Sequence, residues 1–257
     1  VGTTEELPTV ISFCSGYGGI ERGLELAGVK HRVIAYVEIE AFAIANLVAK
    51  MESGELDPAP IWTDLKTFPA HLFRGAVDII TGGYPCQPFS AAGQRKGEDD
   101  PRHLWPTIRQ HIKTIRPDRC FFENVEGHIS LGLSTVISDL EEDGYSATWG
   151  IFSAREVGAP HQRKRVYILA DSKCGFGKAL LSQEVEPLLS KQNKQRAANR
   201  FSDENIYNRG EWSTEPNVGR VVDGCPSRVD RLRLLGNGVV AQTAAKAWQV
   251  LGERYDK

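Results

Sequence analysis

The chain has 257 residues, of which 41% are hydrophobic and 25% charged, and its net charge is −2. A chain of that size and balance is not disordered, and it is long enough for one substantial core plus a smaller lobe. The charge neither requires nor excludes a nucleic-acid partner, because such binding depends on where charge lies rather than on its sum. In chain order, Val10-Ile11-Ser12-Phe13-Cys14 reads as a buried strand, residues 20–27 as a helix, Val33 to Val37 as a second strand and residues 41–51 as a second helix. The alternation continues with Ile61-Trp62-Thr63, the strand 77–81, a helix over 104–115, the strand 120–122, a helix over 133–140 and strands over 147–152 and 166–170.

This βα repetition predicts an α/β fold, a Rossmann-like, doubly wound and mostly parallel sheet whose strands are near-continuously apolar because helices cover both faces. After Asp171 the texture changes: residues 182–219 are rich in Gln, Asn, Ser, Arg and Lys. They form either a long surface insertion or a small separate lobe, and the lobe is the reading taken here. An amphipathic helical pattern returns over 239–251. The expected organisation is a main domain of residues 1–171 and 231–257 and a lobe of residues 172–230.

Five cysteines, Cys14, Cys86, Cys120, Cys174 and Cys225, are odd in number and widely spaced, with no C-x-x-C pair. The pattern argues against a disulfide framework and a zinc site and fits a reducing cytoplasm. Residues 1–8 lack an apolar signal core, and no apolar run approaches the roughly 18 residues of a membrane span. A protein that stays inside the cell, away from membranes, is the expectation.

Ser15-Gly16-Tyr17-Gly18-Gly19 joins the first strand to the first helix, where glycines let a ligand approach the backbone and the helix N-terminus offers unpaired N–H groups. The dinucleotide pattern G-x-G-x-x-G fails at its last position, Glu21, whose charge opposes a pyrophosphate, so a neutral or cationic adenosine ligand suits the turn better. Glu38 ends the second strand at the distance where a carboxylate accepts from ribose hydroxyls; the alternative is an exposed strand-end charge. Asp64 is either an acceptor for an adenine amino group or a helix N-cap.

Gly82-Gly83-Tyr84-Pro85-Cys86-Gln87-Pro88-Phe89-Ser90 places a thiol between two prolines after an apolar strand, at the sheet edge where ligands bind in parallel sheets. Glu123 follows the strand Cys120-Phe121-Phe122, and one βαβ crossover brings it to the same edge as Cys86. If the carboxylate is desolvated there, its pKa rises and it can serve as a proton donor near neutral pH. Arg163 and Arg165 alternate at strand spacing and project from one face, where they could neutralise an anionic oxygen. For either arginine alone a solvated basic strand end is the plainer reading, whereas a merely buried thiol does not fit the polar, proline-bounded setting of Cys86.

Taken together, Gly82 to Ser90, Glu123-Asn124-Val125, Arg163-x-Arg165, the early glycine turn and Gly236-Asn237-Gly238-Val239 resemble the DNA (cytosine-5) methyltransferases. The motifs stand in that family's order. The resemblance implies an enzyme dependent on S-adenosylmethionine, without a metal, that flips a cytosine out of a duplex and methylates carbon 5 through a Cys86 adduct at carbon 6. It implies Glu123 as the hydrogen-bonding acid and Arg163 and Arg165 as charge stabilisers. It also implies cofactor contacts at Cys14, Ser15, Gly16, Tyr17, Gly19, Glu38, Ile39, Asp64, Leu65, Asn237 and Val239, and nucleic-acid contacts at Ser90, Arg95, Lys96 and Arg102 on a mobile loop. Target recognition belongs to the lobe.

The implied partner is double-stranded DNA, bound by a monomer. A restriction endonuclease would be a partner in function without being a bound subunit. Transfer RNA, the substrate of a related branch, is the alternative, and a non-catalytic DNA-binding regulator is a further one. Two departures stand out. The family usually carries an acid where this chain has Ser12, which implies a weaker contact with the cofactor's amino group. Its Gln-x-Arg-x-Arg is here His161-x-Arg163-x-Arg165, so that His161 is left to support the arginines.

Overall fold

The computed structural model describes residues 6–85, 104–173 and 238–255. Strands β1 (Thr9–Phe13), β2 (Arg32–Val37), β3 (Ile61–Trp62), β4 (Ile79–Gly82), β5 (Arg119–Val125), β6 (Ser146–Ser153) and β7 (Lys164–Asp171) form a sheet of order β3-β2-β1-β4-β5-β7-β6. Neighbours from β3 to β5 are parallel, and β7 runs antiparallel to both β5 and β6. The chain leaves β1 toward β2 on one side and returns to β4 on the other. The topological switch point therefore lies between β1 and β4, at their carboxyl ends, where open α/β sheets bind ligands.

Each central strand is apolar on both faces because each face is covered. Ile11, Phe13, Ile80 and Phe122 face one way, beneath α3 (Trp105–Ile115) and α5 (Leu133–Glu142). Val10, Ile79, Phe121 and Leu169 face the other way, into the core shared with α1 (Gly19–Leu26) and α6 (Ala241–Gly252). The period of two along each strand produces the two cores from one run of apolar residues. Helix α2 (Ala41–Glu52) follows β2, and a short α4 (His128–Leu131) precedes α5.

Local chemistry sets the helix ends. Pro106 sits in the first turn of α3, where its missing N–H costs no bond, and Arg116 with φ 60 closes that helix in the left-handed region. Helix α1 begins after Gly18 at φ 80, and its Gly23 lies so close to α6 that a Cβ there would stand 2.6 Å from Cβ of Ala244. The elements read from the sequence are all present, with ends shifted by a few residues. β5 runs on through Val125, so Glu123 stands inside the strand and not after it. Residues 174–237, which include all of the expected lobe 172–230 but its first two residues, lie outside the described residues.

Candidate active site

The turn after β1 is built from unusual backbone. Cys14 has φ 50, Gly16 φ 57 and Gly18 φ 80, and a non-glycine residue in the left-handed region is a strained position that persists only where its surroundings hold it. Glu38 is one of those surroundings. Its Oε2 accepts the Gly16 N–H at 2.7 Å and its Oε1 the Glu40 N–H at 2.8 Å, while Ser15 N–H donates to the Val37 carbonyl at 3.2 Å. Each Glu38 oxygen keeps a second lone pair for a ligand hydroxyl. Burial first, and the Glu38 charge second, push the Cys14 thiol up to about 12, so it stays protonated.

A Cβ on Gly16 would meet nothing within 4 Å. The turn therefore faces open space, which is the room an adenosine cofactor needs against its backbone. Ile39, 73% exposed, and Trp62, 42% exposed, stand at the ends of β2 and β3 as apolar side chains that an aromatic base could cover. Asp64 caps the 3₁₀ turn after β3 by accepting the Lys66 N–H on Oδ1 at 2.9 Å, and the next residue, Leu65, is buried. These residues fit S-adenosylmethionine. Tyr17 closes the turn from the other side: its hydroxyl donates to the Val239 carbonyl, and Lys50 donates to the Tyr17 carbonyl at 2.9 Å.

Glu123 is 6% exposed and faces the same core side as Tyr17 and Val239. Burial raises its pKa from an ordinary 4.5 to about 7, against the opposing pull of Arg165 and Arg163. Arg165 Nε lies 2.9 Å from Oε1. This close guanidinium favours the ionised form of Glu123 and opposes the rise that burial causes. Oε2 points toward Gly83, where a Cβ would stand 3.5 Å from it. A buried acid poised near neutrality, flanked by guanidinium groups at a sheet edge, can donate a hydrogen bond to one part of a ring while charge accumulating on another is neutralised.

Arg163 reaches this cluster by a route that strand alternation does not describe. It precedes β7, has φ 30, and its guanidinium donates through Nη2 to the Gly238 carbonyl. His161 and Gln162 are exposed in the same bend. The arginine is thus anchored by a residue 75 positions later in the chain. Sequence reasoning also gave Asn124 no role. It is 2% exposed and its Nδ2 donates to the Tyr84 carbonyl at 3.2 Å, while the Tyr84 hydroxyl meets His128 Nε2 at 3.1 Å. Its place beside Glu123 in a strand was the available signal. Cys86, Ser90, Arg95, Lys96, Arg102 and Asn237 lie outside the described residues.

Two cavities bear on the site. The larger, about 360 Å³, lies between α3 and α5 beside Tyr84 and Pro85 and has neither Glu123 nor the glycine turn in its lining. The smaller, about 20 Å³, is lined by Ser12, residues 14–17 and Gly19 of the turn, Glu21, Gly83 and Val239. The smaller one lies against the strained turn, at the switch point of the sheet. Among the described residues there is no cluster of three or more metal-ligating side chains, and no helix is long and apolar enough to cross a membrane.

A sequence profile described as "C-5 cytosine-specific DNA methylase" matches residues 8–216. Among similar chains, the type II methyltransferase M.NgoMIV of Neisseria gonorrhoeae is 32% identical over 166 residues, covering 63% of this chain and 51% of that one. M.BsuRI of Bacillus subtilis is 31% identical over 183 residues, covering 62% and 42%. The chain thus spans about half the length, or less, of the curated relatives it matches. In fold it is similar to the S. pombe Dnmt2 methyltransferase, with TM-score 0.64, 19% identity, and coverage of 97% of this chain and 100% of that one. With its profile match extending over most of its length, the chain belongs to the C-5 cytosine-specific DNA methylase family.

Proposed function

We propose that the protein transfers a methyl group from S-adenosylmethionine to carbon 5 of a cytosine flipped out of duplex DNA, and that it serves DNA modification as its relatives named type II methyltransferases do. The observation that carries this reading is Glu123, buried, protonated up to about pH 7 and flanked by Arg165 and Arg163. When bound, the cofactor supplies an electrophilic methyl group on sulfur.

The chain's residues make cytosine able to receive it. The Cys86 thiolate adds to carbon 6, forming a carbon–sulfur bond and moving an electron pair toward the ring nitrogen and the carbonyl oxygen. Glu123 gives its proton, or a hydrogen bond from it, to the ring nitrogen and accepts from the exocyclic amine. Arg165, with Arg163 behind it, stabilises charge on the carbonyl oxygen. Carbon 5 is thereby nucleophilic. After it gains the methyl group it loses its proton to a base, the carbon–sulfur bond breaks, and the thiolate is restored. Asn124, by holding the Tyr84 carbonyl, orients the backbone that leads into Pro85 and Cys86.

Duplex DNA containing 5-fluorocytosine tests the chemistry, because fluorine cannot leave carbon 5 as a proton. The full chain with cofactor is expected to form a covalent adduct stable to denaturation, and Cys86→Ala to form none while still binding S-adenosylhomocysteine. Active enzyme that leaves the fluorinated duplex free would overturn the mechanism. Methyl transfer to transfer RNA with none to duplex DNA would overturn the substrate.

A further inference from the structure

Glu21 sits in the first turn of α1, where the dinucleotide pattern would have its third glycine, and its side chain points inward: the residue is 1% exposed. Oε1 accepts from the Thr81 hydroxyl at 2.5 Å. Oε2 is fully buried and has no hydrogen-bond partner among the described residues. Thr81 is the registered neighbour of Ser12 across the β1–β4 pair. The hydrogen bond therefore holds the Glu21 carboxylate over the rung where β1 and β4 approach their carboxyl ends, at the switch point itself.

The same carboxylate lines the cavity of about 20 Å³ with Ser12, Gly16, Gly19, Gly83 and Val239. That volume admits about one water-sized group. Among the described residues no Lys or Arg lines it. Lys50, which does feel the Glu21 charge, places its ammonium on the Tyr17 carbonyl at 2.9 Å. A carboxylate oxygen left without a donor at such depth is destabilising unless a cation or a donor meets it. An ammonium group matches the charge, the size and the donor capacity that the cavity asks for.

We infer that Glu21 receives the α-ammonium group of the cofactor's amino-acid end, a role absent from the residues that the sequence pattern nominates. This rests on the S-adenosylmethionine reading of the glycine turn. Ser12, paired with Thr81 on the same rung, contributes no charge, so the anion comes from the helix above the strand instead of from the strand. With Oε1 held by Thr81, Oε2 is the oxygen left to meet the ligand.

Isothermal titration of the full chain with two thioethers tests the assignment. S-adenosylhomocysteine carries the ammonium group but no sulfonium, and 5′-methylthioadenosine lacks the amino-acid end altogether. Glu21→Gln is expected to weaken S-adenosylhomocysteine by ~10- to 100-fold and to leave 5′-methylthioadenosine unchanged. Moving the carboxylate to the strand, as Ser12→Asp in the Glu21→Gln chain, is expected to recover much of the loss. Because Glu21→Gln removes a buried charge, its unliganded melting temperature should equal or exceed that of the parent. Unchanged affinity for S-adenosylhomocysteine, or equal losses for both ligands with earlier melting, would overturn the assignment alone. A parent chain that binds neither thioether would overturn the cofactor reading and the assignment with it.

Discussion

A carboxyl group seldom keeps its proton near neutrality, and Glu123 does so because water is excluded from it more completely than Arg165 and Arg163 can offset. The consequence for stability has a definite sign. Between about 4.5 and about 7 the folded chain holds a proton that the unfolded chain has released. The contribution of Glu123 to stability is therefore full below the lower value and lost as pH rises through the upper one, on the order of 3 kcal/mol in all. Thermal unfolding of Glu123→Gln should show a shallower fall of melting temperature across this window than the parent chain shows. If the two curves run parallel, the buried proton is not there. Under the proposed mechanism the same proton is expected to set an alkaline limb near pH 7. Glu123→Gln is expected to lower kcat by ~100-fold or more and to remove that limb, as a pH–rate profile would report.

At the scale of elements, the contact between α1 and α6 carries the site. Trp248 on α6 stands edge-on to Phe121 of β5, with ring centroids 5.2 Å apart, and Gly23 allows α1 to lie directly against Ala241 and Ala244. A side chain at position 23 has no space to enter, so Gly23→Val should force the helices apart. The expected cost is about 1–3 kcal/mol, seen as a lower melting temperature. Since α1 begins at the glycine turn, affinity for S-adenosylhomocysteine should fall with it. Full affinity in a destabilised Gly23→Val chain would mean that the turn is held independently of this packing. Helices α3 and α5 are joined differently, by Arg109: its Nε donates to Asp143 at 2.8 Å and its Nη1 pairs with Asp139, which also accepts from Trp105 at 2.7 Å. That clamp fixes the opposite face of the sheet behind Tyr84.

Across the whole molecule, three segments far apart in sequence meet at one point: Tyr17 after β1, Arg163 before β7, and Gly238-Val239 before α6. The Tyr17 hydroxyl donates to Val239, the Arg163 guanidinium donates to Gly238, and a Cβ on Gly238 would lie 1.7 Å from the Tyr17 ring. The last helix is thereby tied to the cofactor turn and to the arginine beside Glu123. Gly238→Ala is expected to reduce S-adenosylhomocysteine affinity by ~10-fold or more and to lower the melting temperature. Combining it with Tyr17→Ala should cost less than the two changes summed, because the second removes the ring with which the first collides. Additive losses by calorimetry would show that the clash is relieved elsewhere.

Most of the scaffold was legible in the chain itself. Apolar runs bounded by Gly and Pro mark strands, and a period near 3.6 marks helices, so β1, β2, β4, α1, α2, α3, α5 and α6 follow from local chemistry. Glu123 was legible as a carboxylate next to an apolar run, but its desolvation was decided by β5 running on through Val125 and burying it. Other features were decided only by tertiary structure, because they depend on which distant atoms meet. The antiparallel placement of β7 comes from sheet pairing. The support of Arg163 comes from Gly238, across 75 residues. In local sequence Glu21 is an acid in the first turn of a helix, where exposure to solvent is the ordinary fate. Only the fold turns it inward, gives one oxygen to Thr81, leaves the other buried without a partner among the described residues, and sets the residue in the lining of the cavity beneath the glycine turn.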